Sequence, residues 1–345
     1  MKGHLILTMK NMTEEIKRIL LQEYGVTVIS VEKSQVGAGS DTWFINCKDD
    51  RYVMKYPSES EINNPRQEPK LCEYLNQSGI PVCQFIKNKK GEYLTTDPEG
   101  KIFHLQKFFK GKMYDWHEAP PWLLTQSARM LGKIHTALKD YQGLPVGIGS
   151  DFFTYMTPER ALESYRYSLS IAKEQKDEEV IEDLQYRIEL MERFPRLYFD
   201  LSKLTCQATH GDFFISQLLC GENKINAVID WTTACIHPVV WEIVRSYVYA
   251  APSCKEGNIH MEEFAEYVEE YRRFAPLTEY DLQNMIPLFY YQIAVCDYYG
   301  QYYGTDTDNR HIYLQQAKLS TKLLKWFEAY GEELTDKLIR KEEYL

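Results

Sequence analysis

Three acids and amides at fixed spacing stand out as capable of chemistry. His210-Gly211-Asp212 is followed by Gln217 and, 18 residues beyond Asp212, by Asp230 in Ile229-Asp230-Trp231. The intervening residues alternate like a hairpin with a Gly221-Glu222-Asn223-Lys224 turn, so the two carboxylates stand at opposite ends of one strand-turn-strand unit. Such a unit can bring a general base and a metal-binding carboxylate to one cleft. That pairing suits phosphoryl transfer from a magnesium nucleotide, where positioning and charge neutralisation supply most of the catalysis. Taken alone, the same residues fit one Asp that caps a turn and another that ends a strand.

Two features nearer the start of the chain belong to the same chemistry. Lys55 lies in Arg51-Tyr52-Val53-Met54-Lys55-Tyr56, where strand alternation puts Val53 and Lys55 on one face and Met54 on the other. An isolated strand lysine needs no role beyond solvation. Val36-Gly37-Ala38-Gly39-Ser40 falls between two strand-like runs, where Gly37 and Gly39 let the backbone approach phosphates and Ser40 adds a hydroxyl. It is not a Walker loop, because no Gly-Lys-Ser/Thr follows. Nor is it a Rossmann fingerprint, because a strand rather than a helix comes next. By itself it reads equally as a glycine hairpin turn.

The elements that must position these residues divide the chain. Asn11 with Glu14 resembles a capping box, and Ile16, Ile19, Leu20 and Tyr24 repeat at helical spacing until Gly25. Strand-like runs VTVISVEKS, TWFINC and RYVMKY follow. A helix, RQEPKLCEYLNQSG, comes after Pro65, and then two more strands, EYLTT and KIFHLQKFF, around the turn DPEG. Beyond Gly111 the periodicity is helical, interrupted between Thr205 and Asp230 by the β insertion. The implied architecture is α+β, with a small β-rich lobe over residues 1–110 and a larger helical lobe over 111–345 that carries the hairpin.

Length agrees, since 345 residues at roughly 150 per domain make two domains or one bilobal unit. A net charge of −10 disfavours a protein whose affinity comes from neutralising a phosphate polymer, so nucleic acid is excluded as the expected partner. Eight scattered cysteines without a C-x-x-C pair read as reduced thiols, and no stretch approaches about 18 apolar residues. Neither export nor a membrane span is expected, and the cytoplasm is the expected location.

HGDFFISQLL followed by AVIDW resembles the paired motifs of the aminoglycoside phosphotransferase and choline kinase superfamily, whose usual form is H-G-D-x-x-x-x-N and then I-D-W or I-D-F. QEPKLCEYLNQSGIPV, LQKFFKG and LGKIHTAL are similar to the family's small-lobe helix, hinge and large-lobe helix. The resemblance implies a bilobal protein-kinase-like fold and a kinase of the EC 2.7.1 type that moves the γ-phosphate of ATP or GTP, with Mg2+, to an alcohol. It implies Asp212 as catalytic base and Asp230 as metal ligand, with Gln217 standing where a second ligand is normally Asn. Lys55 would reach the nucleotide phosphates, with Glu68, rather than Glu61 or Glu73, holding it by an ion pair. The stretch at about 155–200 resembles a lid over the acceptor pocket.

Histidines are expected to do little. His210 would buttress its loop, and His104, His117, His135 and His237 show no mutual metal-ligand spacing. The acceptor is less legible. Tyr290, Tyr291, Tyr298, Tyr299, Tyr302 and Tyr303 crowd one expected helix, with 291, 298 and 302 on a shared face. Aromatic faces attract amines by about 0.5 to 2 kcal/mol. With Asp297 and Glu242 as nearby negative charge, they point to a small cationic or amine-bearing acceptor. The substitution of Gln217 keeps a second reading alive, a catalytically silent kinase-like protein that binds nucleotide or a partner, as spore-coat relatives do.

Overall fold

The computed structural model describes residues 2–34, 41–57, 67–305 and 310–340, with side chains from residue 12 onward. Two compact units emerge from the packing. Met1–Lys112 with Leu218–Ala234 form the first, and Met113–Gln217 with Cys235–Leu345 the second.

The first unit opens with helix α1 (Lys2–Tyr24), which starts nine residues before the capping box that the sequence suggested at Asn11. No proline interrupts residues 2–10, so nothing in the backbone stops the helix there. It continues through β1 (Ser30–Lys33), β2 (Asp41–Asn46), β3 (Arg51–Tyr56), α2 (Glu68–Gln77), β4 (Phe85–Ile86), β5 (Leu94–Thr96) and β6 (Ile102–Lys107). The antiparallel sheet runs β1-β2-β3-β6-β4, with β5 paired to β6. Its alternation is the expected one. Met54 points into a core of Ile16, Ile19, Leu20, Trp43, Ile45, Phe103 and Leu105, which leaves Lys55 on the opposite face.

The second unit holds α3 (Pro121–Leu138), α4 (Ser150–Tyr155), α5 (Pro158–Gln175), α6 (Glu178–Glu192) and β7 (Cys206–Thr209). The chain then returns to the first unit as the hairpin β8 (Leu218–Cys220) and β9 (Ile225–Val228). This hairpin is tied there by reciprocal backbone hydrogen bonds between Lys112 and Cys220, and by Val228 N donating to Pro81 O at 2.8 Å. Back in the second unit come β10 (Cys235–Pro238), α7 (Val239–Ala250), α8 (Met261–Arg272), α9 (Glu279–Val295), α10 (Tyr298–Gly304) and α11 (Arg310–Arg340).

Strand β10 pairs antiparallel with β7, so that Thr209 lies opposite Cys235. The pair holds the two ends of the hairpin excursion together. Gly132 lets α3 pass close to α8, because a Cβ there would fall 2.6 Å from Tyr271 O. The segment expected as a lid is a helical hairpin, α5 and α6, secured from within. Arg187 of α6 is buried, donating from Nε to Thr321 Oγ1 at 2.9 Å and from Nη1 to Tyr165 Oη at 3.0 Å and Ile293 O at 3.2 Å. All eight cysteines are free thiols, and no described helix is long and apolar enough to cross a membrane.

Candidate active site

The first unit gathers Lys55, Glu68 and Asp230. Lys55 Nζ donates to Asp230 Oδ1 at 2.8 Å, with the lysine side chain 11% exposed and the aspartate 40%. Asp230 carries φ +64° and ψ +68°, a left-handed conformation that costs a non-glycine residue about 1 to 3 kcal/mol. The turn is held by several contacts. Thr232 Oγ1 donates to Asp230 Oδ1 at 2.9 Å, and Trp231 is buried with Nε1 donating to Val228 O at 3.2 Å. Glu68, at the first turn of α2, accepts the Trp231 amide on Oε1 at 3.2 Å. The acid expected to steady Lys55 grips the backbone that presents Asp230.

His104 on β6 faces Lys55 across the strand pair and is buried. Burial, then the positive charge of Lys55, push its pKa down to about 3, so the ring is neutral. Its Nε2 lies 3.7 Å from Glu68 Oε2. The cluster therefore sets two acids against one ammonium.

The second unit carries Asp212 and Gln217 on the loop between β7 and β8. Gly211 takes φ +80°, which makes the sharp turn into Asp212 affordable. Buried His210 buttresses this turn as expected, its Nδ1 accepting the Asp212 amide at 3.3 Å. Gln217 ends a short 3-10 turn, Ile215–Gln217, and its amide donates to Phe214 O at 2.9 Å.

Helix α7 supports this loop. Glu242, fully buried, accepts the His210 amide on Oε2 at 3.3 Å and the Phe213 amide on Oε1 at 3.4 Å. His135 Nε2 donates to the same Oε2 at 2.9 Å, and its Nδ1 lies 2.8 Å from Tyr271 Oη. Burial pushes the Glu242 carboxyl up, but the hydrogen bond and charge of His135, with His210 and His237, outweigh burial and hold it below its ordinary value. Three residues on, Arg245 Nη2 donates to Asp212 Oδ1 at 2.6 Å.

Several expectations change at this point. Glu242 cannot lend charge to an acceptor pocket, because its carboxylate is consumed by the loop's own amides and by His135. Asp297 caps α10, accepting Gly300 N at 2.8 Å and the Ser164 hydroxyl. That cap breaks the expected long helix after Val295, so Tyr291 does not share a helix face with Tyr298 and Tyr302. The tyrosines are mostly packing. Tyr290 stacks on Phe194, Tyr298 and Tyr299 are buried, and Tyr302 lies under the Arg310 guanidinium. Gly37, Gly39 and Ser40 lie outside the described residues, as does Glu61.

Motif reading passed over Arg245 and gave Glu242 a different place, at the acceptor pocket rather than under the loop. Their signal was present, since they are the only charged residues in VVWEIVRSYVYA, and a charge inside an all-buried helix must have a built partner.

Asp230 is of the type that holds a hard cation such as magnesium. Among the described residues no three of His, Cys, Asp and Glu cluster as a metal cage. Mg2+ instead takes one or two hard oxygens and fills its octahedron with phosphate and water. Asp230, partly exposed on a fixed turn, offers such an oxygen.

A model of the phosphotransferase enzyme family matches residues 31–277. No curated protein matches the chain significantly. Among solved structures, a microcompartment-associated aminopropanol kinase is similar at TM-score 0.63 and 13% identity, over 93% of this chain and 98% of its own. A spectinomycin phosphotransferase in complex with ADP and spectinomycin gives TM-score 0.60 and 15% identity over 93% and 98%. An amicoumacin kinase in complex with AMP-PNP and Ca2+ gives 0.60 and 15% over 89% and 92%. At these identities the likeness carries the fold, which is the α+β protein-kinase-like one expected from the motifs.

Proposed function

The chain belongs to the phosphotransferase enzyme family, and we propose that it moves the γ-phosphoryl group of ATP or GTP to a hydroxyl of a small amine-bearing alcohol. The Lys55–Asp230 ion pair carries this reading. A cation and a metal-type carboxylate held at 2.8 Å, one partner 40% exposed, neutralise each other until phosphate and metal take their places. Lys55 then neutralises phosphate oxygens, and Asp230 holds Mg2+, with the Gln217 carbonyl as a weaker second ligand. When bound, the ion offsets charge that develops on the phosphate oxygens.

Asp212 acts as the base. It accepts the acceptor's hydroxyl proton while that oxygen bonds to phosphorus and the bond to the bridging oxygen breaks, releasing the nucleoside diphosphate. The acceptor class rests on two supports. One neighbour is named for aminopropanol, and a net charge of −10 draws cations at long range.

Gln217, in place of the usual Asn, favours the second reading, a silent nucleotide-binding protein. Incubating the protein with Mg2+ and either ATP or GTP against a panel of amino alcohols and aminosugars separates the two. Phosphorylated acceptor supports the kinase. Nucleotide binding with no transfer to any panel member or to water supports the silent protein.

A further inference from the structure

Helix α7 commits both of its charges to one loop. Glu242 and Arg245 are three residues apart and so share a helix face. Glu242 binds the loop's backbone at His210 and Phe213, and Arg245 binds the side chain of Asp212. The guanidinium is enclosed by rings, its centre 4.9 Å from the centroid of Tyr249, 5.2 Å from that of Phe214 and 5.5 Å from that of Trp241. Trp116 closes the cluster 4.7 Å from Tyr249.

A guanidinium so enclosed has little freedom, and its planar fork loses less entropy per hydrogen bond than an ammonium does. We propose that Arg245 is a positioning residue for the reaction. By fixing Oδ1 at 2.6 Å it sets the plane of the Asp212 carboxylate and so the direction from which the carboxylate meets a hydroxyl. This rests on the reading of Asp212 as base. One consequence concerns the acceptor. The aromatic faces of Phe214, Trp241 and Tyr249 are taken by the chain's own cation and do not form a cage for an ammonium of the substrate.

The test uses the full chain with Mg2+ and ATP, reading ADP release to aminopropanol, to spectinomycin and to water. Arg245→Met should lower kcat by about 30- to 100-fold, the scale of a misplaced reacting group, with KM for ATP changed less than about threefold. Arg245→Lys should recover part of the rate, and added guanidinium, below concentrations that unfold the protein, should raise the rate of Arg245→Ala. A packing role would show neither recovery.

Because a buried arginine also contributes to stability, Asp212→Asn, Arg245→Met and the double variant are compared in urea melts. A direct pair makes the double variant lose less than the sum of the singles. Additive melts, or an Arg245→Met enzyme with wild-type kcat while Asp212→Asn is inactive, overturn the positioning role and leave the base in place. An Asp212→Asn enzyme of wild-type activity overturns the base assignment itself.

Discussion

Lys55–Asp230 and Arg245–Asp212 are both cation–aspartate pairs, yet they are built for opposite behaviour. In the first, Asp230 is 40% exposed and the cation is a lysine, a point charge on a flexible stem. In the second, the aspartate is 25% exposed and the cation is an arginine, 10% exposed and packed among rings. On the proposed function, the pair that gives way to phosphate and metal is the exchangeable one. On the same proposal, the base that meets a hydroxyl at one geometry is the immobile one. Their supports differ likewise, because Glu68 holds one backbone amide of the Asp230 turn while Glu242 holds two amides of the Asp212 loop and a histidine as well.

If the first pair is the exchangeable one, the largest effect follows from deleting its carboxylate. Asp230→Ala should abolish the extra melting-temperature rise that Mg2+ adds in the presence of ATP, a rise of several degrees in the wild type at saturation. An unchanged Mg2+-dependent rise would remove Asp230 from the metal site. If the second region is the rigid one, Glu242→Gln should be severe for folding, since it turns an amide donor toward two backbone donors. A loss of about 3 kcal/mol in urea unfolding is expected, against less than about 1 kcal/mol for an exposed acid such as Glu222→Gln.

Acid should strain the second region through His237. Burial, with the charge of Arg245, pushes its pKa down to about 4 against the opposing pull of Glu242, and its Nδ1 must stay unprotonated to accept Ile148 N at 2.9 Å. The unfolded chain therefore takes up this proton first. The stability contributed by the neutral ring is complete above about pH 6.5 and drains away as the pH falls toward the folded value. His237→Gln should flatten that part of the urea-midpoint profile, and an unchanged slope would count against it. The smallest effect belongs to Gln217, whose side chain is one methylene longer than Asn. Gln217→Asn should keep or raise transfer at low Mg2+ and Gln217→Ala should cost only a few-fold, measured as rate against Mg2+ concentration.

Much of this was legible in the chain. The alternation around Met54 placed Lys55 on the face away from the core, where it meets Asp230, and the HGD and IDW motifs singled out both aspartates as candidates. What escaped was set by tertiary partners. Cys235-Ile236-His237-Pro238 is four residues long and ends in proline, so nothing local marks it as the mate of β7. Asp297 was read as negative charge near the acceptor and is a helix cap, because its partner is an amide three residues ahead. Glu242 was read as pocket charge because the amides it serves lie 32 and 29 residues earlier. Only the all-buried run around it gave notice.

The division between an exchangeable nucleotide pair and a fixed base is tested most directly by one paired experiment, ATP affinity and transfer rate measured side by side for Lys55→Met and Asp212→Asn. The account predicts that Lys55→Met weakens ATP binding by at least about tenfold, whereas Asp212→Asn binds ATP as the wild type does and transfers phosphate at least about a hundredfold more slowly. Equal loss of affinity in both variants, or full transfer by Asp212→Asn, would contradict it.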